Sequence, residues 1–263
     1  LQDGQVDDAL AVLDSHLHDH PQDDEARRLR IAVRLRGSDQ AGFRAARDDQ
    51  ERLTALTPDD WRARIEIALR LEPESALAVA AQAVAAYADN ASLAALYVER
   101  LLAAGQWEAA LSLVRAQVPT WSWLALAGRS QADTGDWSSA RSDYDSALEL
   151  LGRAVDTSTA YGAGLKADLL LRRGAVELQA DLLDAAEADY HAAQALVADD
   201  PMIAFNRGVI AALRGDLVSA LEVCGDALMR ARPTIREQME TALAQDRRLS
   251  VLAMLLLQGE SDI

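Results

Sequence analysis

Gly105-Gln-Trp-Glu-Ala-Ala-Leu111 recurs as Gly135-Asp-Trp-Ser-Ser-Ala-Arg141 and again as Gly215-Asp-Leu-Val-Ser-Ala-Leu221. Gly4-Gln-Val-Asp-Asp-Ala-Leu10 is the same phrase, and Asp181-Leu-Leu-Asp-Ala-Ala-Glu187 carries it without the glycine. Recurrence at a near-constant interval is the mark of a repeat protein. Each position has a physical reading. The glycine takes the left-handed conformation that ends one helix. The polar residue after it, often Asp, caps the next helix. The apolar residue at Trp107, Trp137 or Leu217 starts a buried stripe, and the alanine five after the glycine sits where two helices cross closely.

That crossing alanine gives the period: Ala9, Ala46, Ala80, Ala110, Ala140, Ala186 and Ala220, at spacings of 37, 34, 30, 30, 46 and 34. A second small site follows at Ala147, Ala193 and Ala227. Between the two stands Val84, Val114, Tyr144, Tyr190 or Cys224. Upstream, the first helix of each unit carries Ala68, Gly128, Gly174 or Gly208. Small against large at fixed offsets lets the two helices of a pair mesh, ridge into groove. His20-Pro21, Thr57-Pro58-Asp-Asp60 and Asp199-Asp200-Pro201 close one unit and open the next.

The composition agrees with helices throughout. Half of the 263 residues are hydrophobic, only 5% are aromatic, and proline occurs six times. The formal net charge of -16 repels nucleic acid and anionic lipid surfaces, so no nucleic-acid partner is expected. The single cysteine, Cys224, allows no internal disulfide and no cysteine-based zinc site. One lysine, Lys166, stands against 25 arginines, which resembles the coding bias of a GC-rich bacterial genome. The apolar run Val251–Leu257 is too short to span a bilayer, so no membrane insertion is expected. Leu1-Gln-Asp-Gly4 is neither basic nor apolar, so no signal peptide is read there. The expected compartment is the cytoplasm, or the periplasm if a signal precedes Leu1.

Gly or Ala at the first small site, Ala at the crossing, a large residue four on, Ala after it and Pro near the end together resemble the tetratricopeptide repeat. Units beginning near Asn90, Pro119, Leu165 and Pro201 match best. Those near Asp24 and Trp61 are degenerate, with Phe43 and Pro73 altering the turn and Tyr87 at a site normally small. The resemblance implies an all-α fold, a right-handed α-solenoid of about seven antiparallel helix pairs. Residues 1–233 form the superhelix, with a truncated first repeat and an insertion at 151–164. Residues 234–263 form C-terminal capping helices. In the insertion Gly152, Gly162 and Gly164 suggest a helix extension and then a loop, either exposed or in contact with a partner. Thr234 and Glu237 have the spacing of a capping box. The apolar side of the cap (Met239, Leu243, Leu249, Leu252, Leu255, Leu256) should cover the last pair; folding into the groove and forming a homodimer are its alternative uses.

In this family the first helices line a concave face that grips a protein or peptide. The matching positions here include Arg28, Arg62, Ile65, Glu99, Arg129, Leu171, Leu178, Phe205, Val209 and Leu213. The face is therefore expected to be basic at its N-terminal end and apolar at its C-terminal end. Arginine forks favour carboxylates, so a partner's acidic residues would lie near Arg28, Arg62 and Arg129. The competing reading is that Arg27, Arg28, Arg30, Arg34 and Arg36 merely solvate an exposed helix or pair with Asp23, Asp24 and Glu25. The clamp that some family members use for chaperone tails is absent, because its positions hold residues such as Ile65, Leu69, Ala95 and Glu99.

The function expected is a non-catalytic scaffold or adaptor with no cofactor. A ligand-sensing domain of a larger bacterial regulator or signalling ATPase is the alternative. No Gly-x-Ser-x-Gly, Walker or dinucleotide phrase occurs in the sequence. His16, His18 and His20 form a His-x-His-x-His run without a fourth ligand, so no metal is expected. Cys224 reads as a small core residue, and Trp121 and Trp123 as seam fillers.

Overall fold

The structure is a computed structural model that describes residues 3–37 and 39–257. Among these residues every regular element is helical. Leu1, Gln2 and the last part of the expected cap, 258–263, lie outside the described residues. The chain divides into two compact units, Leu1–Leu113 and Val114–Ile263.

The first unit contains α1 (Asp3–Asp19), α2 (Asp24–Arg34), α3 (Gln40–Gln50), α4 (Pro58–Leu71), α5 (Ala76–Ala86), α6 (Ala91–Ala103) and most of α7 (Trp107–Arg115), with a 3-10 turn at Pro73–Ser75. The second contains α8 (Trp121–Asp133), α9 (Trp137–Ala154), α10 (Ala160–Gln179), α11 (Leu183–Leu196), α12 (Pro201–Leu213), α13 (Leu217–Arg230) and α14 (Pro233–Gln245). A 3-10 turn at Arg247–Leu249 then leads into α15 (Ser250–Leu257). Consecutive helices pack as neighbours from α1 to α6 and from α8 to α13, and alternate helices also touch: α2 with α4 and α4 with α6, then α8 with α10, α10 with α12 and α12 with α14. The result is two layers, one of first helices and one of second helices.

The turns form as the glycine phrase predicts. Gly105, Gly135 and Gly215 have φ of 70, 80 and 89°. Beyond each, an N–H reaches back five residues: Gln106 to Leu101 O at 2.9 Å, Asp136 to Gln131 O at 2.9 Å, Asp216 to Ala211 O at 2.9 Å. In the copy without glycine, Asp181 adopts φ of 60° and Leu182 N–H closes the same bond to Glu177 O at 2.8 Å. Asp136 and Asp216 then accept from the backbone N–H of Ser139 and Ser219, capping α9 and α13.

The crossings form too. Ala46, Ala80, Ala110, Ala140, Ala186 and Ala220 are all fully buried, whereas Ala9 is half-buried. A Cβ added to Gly128 would lie 3.0 Å from Tyr144 Cε2, to Gly174 2.8 Å from Tyr190 Cε1, and to Gly208 2.5 Å from Cys224 Sγ. Large residues of the second helix occupy the space that small residues of the first leave open.

Three local expectations need correction. α14 starts at Pro233 with Arg232 as its N-cap and no side-chain cap bond, so Thr234 and Glu237 make no capping box. Proline's fixed φ places it at the first helical position, which moves the start ahead of Thr234. The capping box that does form is Thr57 with Asp60. α1 runs through Gly4, so that glycine ends no helix. The insertion is a helix extension and then a loop, as read, but the loop is short, since α9 extends to Ala154 and α10 starts at Ala160. Gly162 and Gly164 lie inside α10. Gly162 is required there, since a Cβ would stand 2.2 Å from Asp156 O.

Ala140→Leu and Ala220→Leu should each lose about 1–3 kcal/mol by overpacking. Ala192→Leu, on the exposed side of α11, should lose less. Urea unfolding of the three variants measures this.

Candidate functional site

The arginines expected along the N-terminal face are largely committed inside the first unit. Arg28 Nε lies 3.1 and 3.0 Å from the carboxylate oxygens of Asp60, and its Nη2 donates to Ala55 O at 2.9 Å. Arg28 therefore ties α2 to the start of α4. Asp49, 2% exposed, accepts from both Arg30 and Arg34. Arg27 pairs with Asp24 at 3.1 Å. The basic stretch thus pairs within the chain, but of the expected acceptors only Asp24 takes part, and Asp49 and Asp60 on α3 and α4 are the main ones. Arg62 differs: it is exposed and sits 3.8 Å from Asp59. Glu99 is half-buried, 3.7 Å from Arg100. Ile65 is a core residue, 1% exposed.

In the second unit Phe205 and Val209 are buried to 1% and 3% exposure, and Leu178 to 7%. They are not a free apolar surface. α14 and the Arg247–Leu249 turn pack on α12. Met239, Leu243 and Leu249 join Phe205 and Val209 in one hydrophobic cluster. The periodicity places these positions on the first-helix face but cannot show that the chain's own C-terminal segment covers it. Leu171 and Leu213 are half-buried at the edge of the same cluster.

What remains accessible on α8 and α10 is a row of charge. Arg129 stands 4.0 Å from Asp133, and Arg172 Nε 2.8 Å from Asp168. Asp168 lies on α10, and Arg172, one turn on, adds its cation beside it. Burial pushes the Asp133 carboxyl up from its ordinary value, against the pull of Arg129. Beneath the row, burial pushes the Tyr144 phenol up to about 12, so it stays protonated. Deeper ion pairs join helices of this unit: Arg173 to Asp189 at 2.6 Å, Arg141 to Glu177 at 2.8 Å, and Arg115 to Asp143 at 2.7 Å.

The remaining candidates resolve plainly. His16 Nε2 is 2.8 Å from Asp23 Oδ2, and its ring lies 4.8 Å from that of His20. No group of three or more metal-ligating side chains gathers among the described residues. Cys224 is fully buried, and its thiol is pushed up to about 12 by burial. Trp123 is buried and Trp121 half-buried against the core of α9 and α10. Val251, Met254 and Leu255 of α15 remain exposed. No helix among the described residues is long and apolar enough to cross a membrane.

No family model matches the chain, and no curated protein matches it in sequence. Solved structures do match in fold. The Cut9–Hcn1 hetero-tetramer of the APC/C aligns with a TM-score of 0.61 at 15% identity, over 97% of this chain and 47% of the other. A TPR protein of Thermus thermophilus aligns with a TM-score of 0.53 at 20% identity, over 72% of this chain and all of the other. The C-terminal part of a TPR repeat-containing protein from Cytophaga hutchinsonii gives 0.56 at 14% identity, over 96% and 90%. The fold is that of the tetratricopeptide repeats. The chain spans about half the length of the first of these structures, 47% of it. At these identities the likeness carries the tetratricopeptide architecture and no partner.

Phe205→Ala should act as a core deletion, losing about 3–5 kcal/mol, whereas Arg129→Ala should lose under about 1 kcal/mol, as an exposed ion pair does. Thermal unfolding of the two variants separates the roles.

Proposed function

We propose that the chain is a non-catalytic scaffold that holds a partner protein or peptide, with the first-helix face of its second unit as the contact. The observation that carries this reading is the charged row on α8 and α10. Arg129 and Asp133, then Arg172 and Asp168, form two acid–base pairs on accessible side chains of successive first helices. Such exposed pairs contribute little to folding. They are free to exchange partners with acidic and basic side chains of an extended segment, and arginine forks give such contacts direction. Leu171, beside this row on α10, adds a half-buried apolar contact. Arg62 and Glu99 offer accessible charges on the first unit. Arg28, Ile65, Phe205 and Val209 take no part, being engaged in the fold itself.

The tetratricopeptide architecture supports the scaffold reading at the level of fold. The inert Cys224 thiol supports the non-catalytic part, because a nucleophilic cysteine needs a lowered pKa and access.

Affinity capture of the intact protein from its native cells, read by mass spectrometry, tests the proposal. The double reversal Arg129→Glu and Arg172→Glu should keep the melting temperature within a few degrees and lose the partners that wild type enriches. An unchanged partner set would reject this face.

A further inference from the structure

The C-terminal segment does more than cover the last helix pair. Between α10 and α12 on one side and α14 with the Arg247–Leu249 turn on the other lies a cleft of about 460 Å³. That size falls within the range of small-molecule sites, about 300–1,000 Å³. Its far wall is fixed in place. Arg248 donates to Leu178 O of α10 at 3.4 Å and holds Asp246 through several contacts, the shortest 2.7 Å. Leu249 is buried at 3% exposure.

Three features of the lining ask for a ligand. The Tyr190 side chain is fully buried and lines the cleft, yet its hydroxyl has no hydrogen-bond partner. A buried hydroxyl left unpaired destabilises the fold, and a bound acceptor would remove that penalty. Arg247 lines the same cleft, is exposed, and has no ion pair or hydrogen bond among the described residues. Gln179, Asn206 and Gln245 add amide groups around it. The one carboxylate in the lining, Asp246, is already neutralised by Arg248, whose hydrogen bond holds it below the usual carboxylate range. Burial raises the Tyr190 phenol well above its ordinary value, so at neutral pH the hydroxyl keeps its proton to donate. The unsatisfied capacity is therefore one cation and one buried donor, beside amides that can donate or accept.

We propose that this cleft binds a small organic acid whose carboxylate pairs with Arg247 and whose second acceptor atom takes the Tyr190 hydroxyl hydrogen. Acylated amino acids and keto or hydroxy acids have that pattern. A long peptide lying along the first helices is blocked at this end by α14 and the turn. The free C-terminus of a short peptide has the same carboxylate chemistry and is an arm of the test. The proposal goes beyond scaffolding and uses none of the residues assigned to partner contact, so the two can fail separately.

Saturation-transfer NMR and calorimetry on the intact chain test it. The probes are a panel of N-acyl amino acids, keto acids and hydroxy acids, each with its neutral primary amide, and short peptides with free and with amidated C-termini. At least one small acid should bind, with about a tenfold preference over its amide. Arg247→Gln and Tyr190→Phe should each weaken that acid by about tenfold. Tyr190→Phe should at the same time leave the melting temperature of the free protein unchanged or higher, because it removes an unsatisfied group. Binding by none of the acids, equal binding of acid and amide, binding by peptides alone, or indifference to both substitutions would each overturn the proposal.

Discussion

In three helix pairs of the second unit, a first-helix glycine leaves the room that a side chain of the second helix fills. Gly128 admits Tyr144, Gly174 admits Tyr190 and Gly208 admits Cys224, each at a separation that an added methyl would violate. The fully buried alanines one turn before those large residues bring the backbones close. Everything else follows from that register. It decides which side of each first helix faces its partner helix, and so which side is left for contact with other molecules.

Charge plays a second, subordinate part. With 26 basic against 42 acidic residues, the chain gains by placing its arginines beside carboxylates. It does so mostly between helices of one unit, as Arg28 with Asp60 and Arg173 with Asp189 show. These pairs are half-buried, and breaking one leaves its partner charge poorly solvated. Arg129, Arg172 and Arg62 pair only at the surface, and Arg247 has no acidic partner among the described residues.

The repeat architecture was legible because it depends on spacing. Turn glycines, cap aspartates and crossing alanines recur at offsets that a sequence displays directly. Even Asp181 could be placed at the glycine position by the phrase around it, although only the backbone shows that it adopts the left-handed conformation. The accessible surface was less legible, because it depends on contacts between distant segments. Phe205 and Val209 occupy first-helix positions, yet the turn at Arg247–Leu249 closes over them from some forty residues downstream. Arg28 looks like a free fork until Asp60 is seen opposite it. Arg247 carries no signal in the sequence at all, since its role rests on what its neighbours leave unpaired. Thr234 misled for a local reason: Pro233 captured the helix start ahead of it.

The small-into-large register stands or falls on the sign of a Gly→Ala substitution. In a helix interior alanine is ordinarily better than glycine by about 1 kcal/mol. Gly164, inside α10 with nothing near its missing Cβ, should show that gain in urea unfolding. Gly174 and Gly208 should show the reverse, a loss, because the added methyl meets Tyr190 or Cys224. A gain of similar size at all three glycines would mean that the helices do not mesh there, and the register would fall.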